Sequence, residues 1–288
     1  MSEKKILTLI SYSIIFLSFI VAAIGLFWSE SSSPYSYVTH RGESVEIYNQ
    51  GLYKYDSLLV GSGNRGTDAA ILGICIPLLL LAVNLYLKGK NKAKVFLSGV
   101  LVSFLYLYAT YAIKMAYNSF FLLYVILFSL SLYGFIISYK DIYSKGSESL
   151  FSNDYNKKWI GIFLIVMGLF TGIAWVAEPA ISLFTDFVPV LEIYPSLFTH
   201  AVDAAIMVPI FIVSGVMILK KNKKGYILGI PLLFVTASLV PMVISMTASQ
   251  IMAGVQITLQ QFISLVVSFV IMGAFAVLAN ISIIKNIK

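Results

Sequence analysis

The stretch "DAAILGICIPLLLLAVNLYLKGKNKAK", residues 68–94, runs without a charge from Asp68 to Lys88 and then turns strongly basic. Crossing a bilayer takes about 20 mostly apolar residues, because a helix rises about 1.5 Å per residue through about 30 Å of hydrocarbon. The stretch has that length, and its lysines mark where it leaves the apolar layer. It has an echo, "DAAIMVPIFIVSGVMILKKNKK", at residues 203–224. Both begin Asp-Ala-Ala-Ile, both reach a proline within nine residues, and both end in lysines. Working outward, eight segments qualify as spans, at 6–28, 69–87, 95–113, 119–138, 159–177, 201–219, 226–246 and 262–284. Only 11% of the residues are charged and 59% are hydrophobic, with a mean hydropathy of +0.90. Soluble domains carry roughly 25% charged residues. The chain therefore reads as an all-α integral membrane protein with eight transmembrane helices.

The basic residues set an orientation. With the N-terminus in the cytoplasm, only Arg41, Lys54, Arg65 and Lys114 fall in outer segments, and the other 16 of the 20 lie inside. This is the positive-inside pattern, with both termini cytoplasmic. The net charge of +7 is thus a topology signal that meets anionic headgroups at the lysine loops, and no nucleic-acid partner is expected. Lysine outnumbers arginine 18 to 2, and Ile and Asn are plentiful, which points to an AT-rich prokaryotic genome and a prokaryotic cell membrane. The acids divide the other way, nine outside against four inside, and both histidines, His40 and His200, are outside. The first helix follows Lys4-Lys5 like a signal peptide, but its apolar run is long and no cleavage site follows, so it reads as an uncleaved span. The single cysteine, Cys75, rules out an intrachain disulfide or a CxxC pair.

Two outer connections are long. In residues 29–67, positions 45–48 and 52–55 form a plausible hairpin around Asn49-Gln50-Gly51. Residues 178–200 hold Pro179, Pro189 and Pro195 among apolar residues, which fits a segment lying in the interface or partly re-entering. The Asp-Ala-Ala-Ile echo extends to the order of helices and basic turns around it. Two parallel four-helix units are expected, 1–142 and 157–288, joined by a cytoplasmic connector at 143–156.

"GLYKYDSLLVGSGNRGTDAAILGICIPLLL", "AYNSFFLLYVILFSLSLYGF" and "HAVDAAIMVPI" carry a resemblance. The chain resembles a group of uncharacterised prokaryotic polytopic membrane proteins in which a Gly-Leu-Tyr-x-Tyr-Asp-Ser segment precedes an Arg-Gly-Thr-Asp helix start. The resemblance implies the fold and an outer-face site, and brings no established activity.

Candidate site residues lie near the outer face. Asp68, after Gly66-Thr67, reads as a helix cap favoured by the helix dipole. Arg65, three residues earlier, reads as its local ion partner or as a bidentate anion ligand. Asp203 reads deeper, because Thr199 is the better cap and Asp203 stands roughly 26 Å from Lys220 along a helix. On the third helix Ser103, Tyr106, Thr110, Lys114 and Tyr117 share one polar face. Lys114 there either snorkels to the interface or clusters with Asp68, Asp203 or Glu178. Glu178 reads as a loop acid at a helix end broken by Pro179. His200 shares a face with Asp203 and can bind a metal or relay protons with it, with His40 free to join. The tyrosines and phenylalanines read mostly as packing and interfacial belts. No P-loop or HExxH occurs, "GSGNRG" at 61–66 opens no dinucleotide-binding unit, and no cofactor is expected. The leading function is a small-solute or ion carrier with an outward-facing acidic site. One alternative is an outer-face enzyme or binding protein for a lipid-linked or small polar ligand. Another is a non-catalytic membrane partner or sensor. On the capping argument, Asp203→Asn is expected to be more damaging than Asp68→Asn.

Overall fold

The computed structural model describes residues 2–30, 32–89, 91–145, 147–152 and 155–288. Lys90 and Asp154 lie outside the described residues, as do positions 146 and 153 of the expected connector. Eight helices are long and apolar enough to cross a membrane. In order they are Glu3–Phe27, Leu58–Leu87, Lys92–Ile113, Phe121–Ser144, Lys158–Ser182, Phe198–Leu219, Lys224–Met252 and Leu259–Lys285. The chain is a multi-pass membrane protein.

Each span packs through the small or apolar residues that its helical period brings to one side. The first span buries Leu7, Ser11, Ile14, Ser18, Val21, Ala22 and Gly25, a stripe at intervals of three and four. That stripe lies on the second and fourth spans. The fifth and sixth spans meet glycine to glycine. A Cβ on Gly215 would stand 2.5 Å from the Gly161 carbonyl oxygen, and one on Gly161 2.9 Å from that of Gly215. The seventh span touches the second, third, sixth and eighth, and so joins the two halves of the chain.

Both chain ends gather at one face of the bundle. Lys4 Nζ donates to the Leu87 carbonyl at 2.8 Å, and Lys92 Nζ to that of Lys285 at 2.9 Å. Lys94 pairs with Glu3 at 2.9 Å, and Phe151 bridges to Ile287. The opposite face carries a hairpin, in a register other than the expected one. Tyr35–Val38 pairs antiparallel with Ser44–Ile47, from Tyr35 opposite Ile47 to Val38 opposite Ser44. Gly42, at φ 82°, makes the turn possible. Positions 52–55 are not a strand partner. Gly51–Tyr53 is a tight 3-10 turn, after which the chain folds back so that Tyr48 N–H reaches the Asp56 carbonyl at 2.9 Å.

The second span begins at Leu58, well before the expected 69, so the loop that precedes it ends before residue 58. "GSGNRG" is therefore helical, not loop. Its glycines suit close helix contact: a Cβ on Gly66 would stand 2.2 Å from the Ser245 carbonyl oxygen and 2.7 Å from Met246 Cα. Small residues let backbones approach this closely in a membrane.

Both Asp-Ala-Ala-Ile helices carry a π segment, at Ile71–Cys75 and Asp203–Met207. Pro77 and Pro209 explain them. A proline has no N–H to give and its ring clashes with the carbonyl four residues back, here Gly73 and Ala205, both within the π segments. Widening the turn relieves the clash while the other backbone groups stay bonded, as lipid requires. A third π segment, Phe262–Val267, contains no proline, and nothing in its packing explains it.

Gly66→Val is expected to push the second and seventh spans apart, at a cost of about 1–3 kcal/mol for overpacking. Thermal unfolding in detergent should show a clear drop in Tm. Gly73→Ala, whose new Cβ would meet nothing within 4 Å, should melt with the wild type. Equal melting of all three proteins would refute the close crossing.

Candidate functional site

Asp68 does not cap a helix. The cap of the second span is Ser57, whose Oγ accepts the Val60 N–H at 3.3 Å. Asp68 lies about three turns further in and is fully buried. The Tyr53 hydroxyl donates to its Oδ2 at 2.5 Å. Gly25 makes room for the carboxylate, since a Cβ there would stand 2.0 Å from Oδ2. Tyr111 stands edge-on to Tyr53, Tyr108 and Tyr124, with ring centroids 6.5, 5.9 and 5.4 Å away. Arg65 is not the partner of Asp68. Its Nε donates to the Leu26 carbonyl at 2.9 Å and its Nη1 to the Tyr48 hydroxyl at 3.4 Å. Among the described residues, no Lys, Arg or His nitrogen lies within 4.0 Å of the Asp68 carboxylate. The ranking of Asp203→Asn above Asp68→Asn loses its basis, because Asp68 is the more buried acid and caps nothing.

Asp203 sits in a second, shallower setting, 8% exposed. Its helix starts at Phe198 with no side-chain cap, so Thr199 is a helical residue and not the expected cap. Tyr106 hydroxyl lies 3.1 and 3.3 Å from the two carboxylate oxygens of Asp203. Trp175 stands beside the same carboxylate and also faces the His200 ring at 4.3 Å between centroids. His200 and Asp203 thus flank an indole. Among the described residues, no group of three or more His, Cys, Asp or Glu is placed to hold a metal. Thr110 gives its hydroxyl to the Tyr106 carbonyl at 3.0 Å. Glu178 is exposed, and its helix runs on through Pro179 to Ser182, so the expected break is absent. A proline's own φ suits a helix, and the carbonyl it leaves free can face the polar surface.

The expected polar face of the third span divides. Tyr106 goes to Asp203, Ser103 lines a crevice, and Tyr117 is exposed. Lys114 joins none of the three expected acids by an ion pair. Its Nζ stands 5.9 Å from the Tyr194 ring centroid, with Asp56 and Glu192 as its nearby acids. Sequence reasoning missed these partners. Asp56 is fully buried, and its Oδ1 accepts the Ala116 N–H at 2.9 Å and the Tyr194 hydroxyl at 2.8 Å. The Ser57 hydroxyl donates to Glu192 at 2.8 Å, so one serine both caps the second span and ties down the 183–197 loop. Arg41 Nη2 donates to the Glu192 carbonyl at 2.8 Å and the Tyr194 carbonyl at 3.4 Å. These bonds hold Glu192 at φ 52°, a left-handed conformation rarely adopted by a residue with a side chain. His40 is exposed on the hairpin turn. The signal available in sequence was an acid flanked by Tyr55 and Ser57 at a helix start, with one of only two arginines nearby on the hairpin.

Burial dominates the electrostatics of this cluster. It pushes Asp56 up to about 6, against the opposing pull of its hydrogen bonds and Lys114. It raises Glu192 and lowers Lys114, although each acts to keep the other charged. The 183–197 loop carries Leu183 and Phe184 exposed. Two cavities are open, and Glu192 lines only the smaller. One, of about 510 Å³, opens at the hairpin face between Glu43, Glu46, Glu192 and Gln256. The other, of about 880 Å³, is an apolar crevice between the second, third, seventh and eighth spans, with Ser103, Ser238, Ser245 and Asn280 as its few polar groups.

Asp56 makes stability pH-dependent. Its carboxyl sits at about 6 in the fold against an ordinary 3.8, so the folded chain binds the extra proton between those values. Stability is fullest below about 3.8 and is lost as pH rises through about 6. The span corresponds to on the order of 3 kcal/mol. Melting curves between pH 4 and 7 should show this fall, and Asp56→Asn should flatten it.

Comparisons with protein-family models, with curated proteins and with solved structures found no match, so the site is read from this chain's own geometry.

Proposed function

We propose that the chain is a carrier of a small solute or ion in a prokaryotic cell membrane, with both termini cytoplasmic and an outward-facing acidic site. The carrying observation is a pair of carboxylates, Asp68 and Asp203, each buried beneath the hairpin face and each held by a tyrosine hydroxyl in place of a cation. Ionisable groups at such depth are costly and mark ligand or ion paths. Each acid stands at or just before a π segment in a proline-containing helix. Interrupted helices at matching places in two repeats are where carriers bind their cargo. The orientation follows from the lysine-rich face, and on this reading the hairpin face receives the solute. The two four-helix units, and the likeness to uncharacterised polytopic proteins, belong to the same proposal.

A second reading draws on a different observation. The Asp56–Lys114–Glu192 cluster and the apolar crevice suit an outer-face binding protein for a lipid-linked ligand, with its headgroup at the cluster and its chain among the spans. That protein has no need to open towards the lysine face.

Thiol accessibility separates the two. In a Cys75→Ala background, Ser103→Cys places a single thiol at mid-depth on the third span. A carrier should let a membrane-impermeant maleimide reach it from the hairpin face and from the lysine face in sealed vesicles of opposite orientation. Labelling from the hairpin face alone would reject the carrier in favour of the binding protein.

A further inference from the structure

Buried polar atoms without partners cluster around Asp68. Asp68 Oδ1, the Tyr108 hydroxyl and Ser18 Oγ are all buried, and none makes a hydrogen bond. Asp68 is on the second span, Tyr108 on the third and Ser18 on the first. Tyr108 lies close to both Ser18 and Asp68. The Tyr111 hydroxyl is also near the carboxylate, but it donates to the Asn64 carbonyl at 3.4 Å. The remaining neighbours are the Tyr53 hydroxyl, already bonded to Oδ2, the Tyr124 hydroxyl, and Gly25. Among the described residues, the titratable groups facing Asp68 are thus tyrosines, and none is cationic. A carboxylate so enclosed needs a positive partner, because an uncompensated buried charge costs far more than any single hydrogen bond returns.

The structure assigns to this cage a small monovalent cation, a sodium ion or a proton, bound at Asp68 Oδ1 with the hydroxyl oxygens of Tyr108 and Ser18 beside it. All three are oxygens, the ligand type that hard cations take. One charge neutralises one carboxylate, so the loaded site is electrically neutral within the apolar bundle. A polar route leads out. Asn118 Nδ2 donates to the Tyr124 hydroxyl at 3.5 Å, and Tyr124 feels both Asp68 and Asp56. Asp56 belongs to the cluster at the hairpin face. Within the carrier reading, on which this role rests, the cation is the coupling ion and Asp203 is left for the solute.

The test is thermal unfolding of the purified full chain in detergent. It compares sodium, potassium and choline chloride at pH 8, and choline chloride from pH 5.5 to 8. All variants carry an Asp56→Asn background, which removes one carboxyl that titrates near 6, and the response of Asp68 is read as the difference between proteins with and without the Asp68 carboxyl. A sodium site predicts a saturable rise in Tm with sodium over choline. A proton site predicts a rise with acid that is indifferent to sodium. In either case Asp68→Asn should abolish the response, and Gly25→Ala, whose methyl would occupy the carboxylate's place, should abolish it too. If Asp68→Asn fails to fold, Tyr108→Phe deletes one hydroxyl only and should move the sodium or proton midpoint about tenfold, equivalent to about 1.4 kcal/mol. Responses to cation and pH that are the same in the Asp56→Asn parent, Asp68→Asn and Tyr108→Phe would overturn the assignment. The outcome is separable from that of the carrier. A chain that responds through Asp68 yet labels at Ser103→Cys from one face keeps the cation site and loses transport. The reverse result loses the site alone.

Discussion

The approach of Gly66 to the backbone of Ser245 and Met246 is the contact on which the arrangement turns. The seventh span packs on both halves of the chain, and Gly66 of the second span lies close against its backbone. Helix geometry then decides the rest. Two residues further on, about 200° around the helix, Asp68 points away from the seventh span. It is delivered to Gly25 and to the tyrosines of the loop and the third and fourth spans. One close crossing therefore joins the halves and aims the acid into its cage. A larger residue at position 66 would disturb both.

The bilayer sets the second constraint, since a spanning segment must satisfy its backbone within itself. Pro77 and Pro209 break that rule locally, and the π segments around the carbonyls of Gly73 and Ala205 are the repair. The repair does not cost the helix its path across the membrane, because the spans continue to Leu87 and Leu219. What it leaves is a widened turn next to a carboxylate in both places. A widened turn shifts easily between hydrogen-bond registers, which is the property a site needs if its ligand is to leave as well as arrive.

The number of spans was legible in the sequence because length and hydropathy alone decide it. Boundaries failed where composition misled. Residues 58–67 look like a loop through Gly61, Gly63, Asn64 and Gly66, yet in a membrane helix those small residues are the surface on which a neighbour lies. That single misreading turned Asp68 into a cap and Arg65 into its partner. The hairpin register failed for another reason. Alternation in Tyr35–Val38 is as good a strand signal as that at 52–55, and Asn49 and Gly51 at positive φ fold a tight turn in place of a strand partner. Asp203 meets Tyr106 across two helices 97 residues apart, and no spacing along either helix reports that pairing. The Asp56–Glu192 cluster was not legible, because a loop 135 residues beyond Ser57 supplies the second acid and no local period reports such a meeting.

The tyrosines carry the last lesson. Their number invited a reading as packing and interfacial belts, but three of them bond the three buried acids of the hairpin half: Tyr53 to Asp68, Tyr106 to Asp203 and Tyr194 to Asp56. A tyrosine hydroxyl satisfies a carboxylate oxygen without cancelling its charge. A lysine or arginine in the same place would close the site with a permanent ion pair, and breaking such a pair in an apolar interior is expensive. Held by neutral donors, Asp68 and Asp203 are fixed in position without an ion pair among the described residues. The two arginines donate to backbone carbonyls of Leu26, Glu192 and Tyr194, where they brace the loops, and Arg41 stands 3.9 Å from the Glu43 carboxylate but pairs with none of these three buried acids. At these three buried acids the side-chain donors are hydroxyls, while both arginines donate to backbone carbonyls.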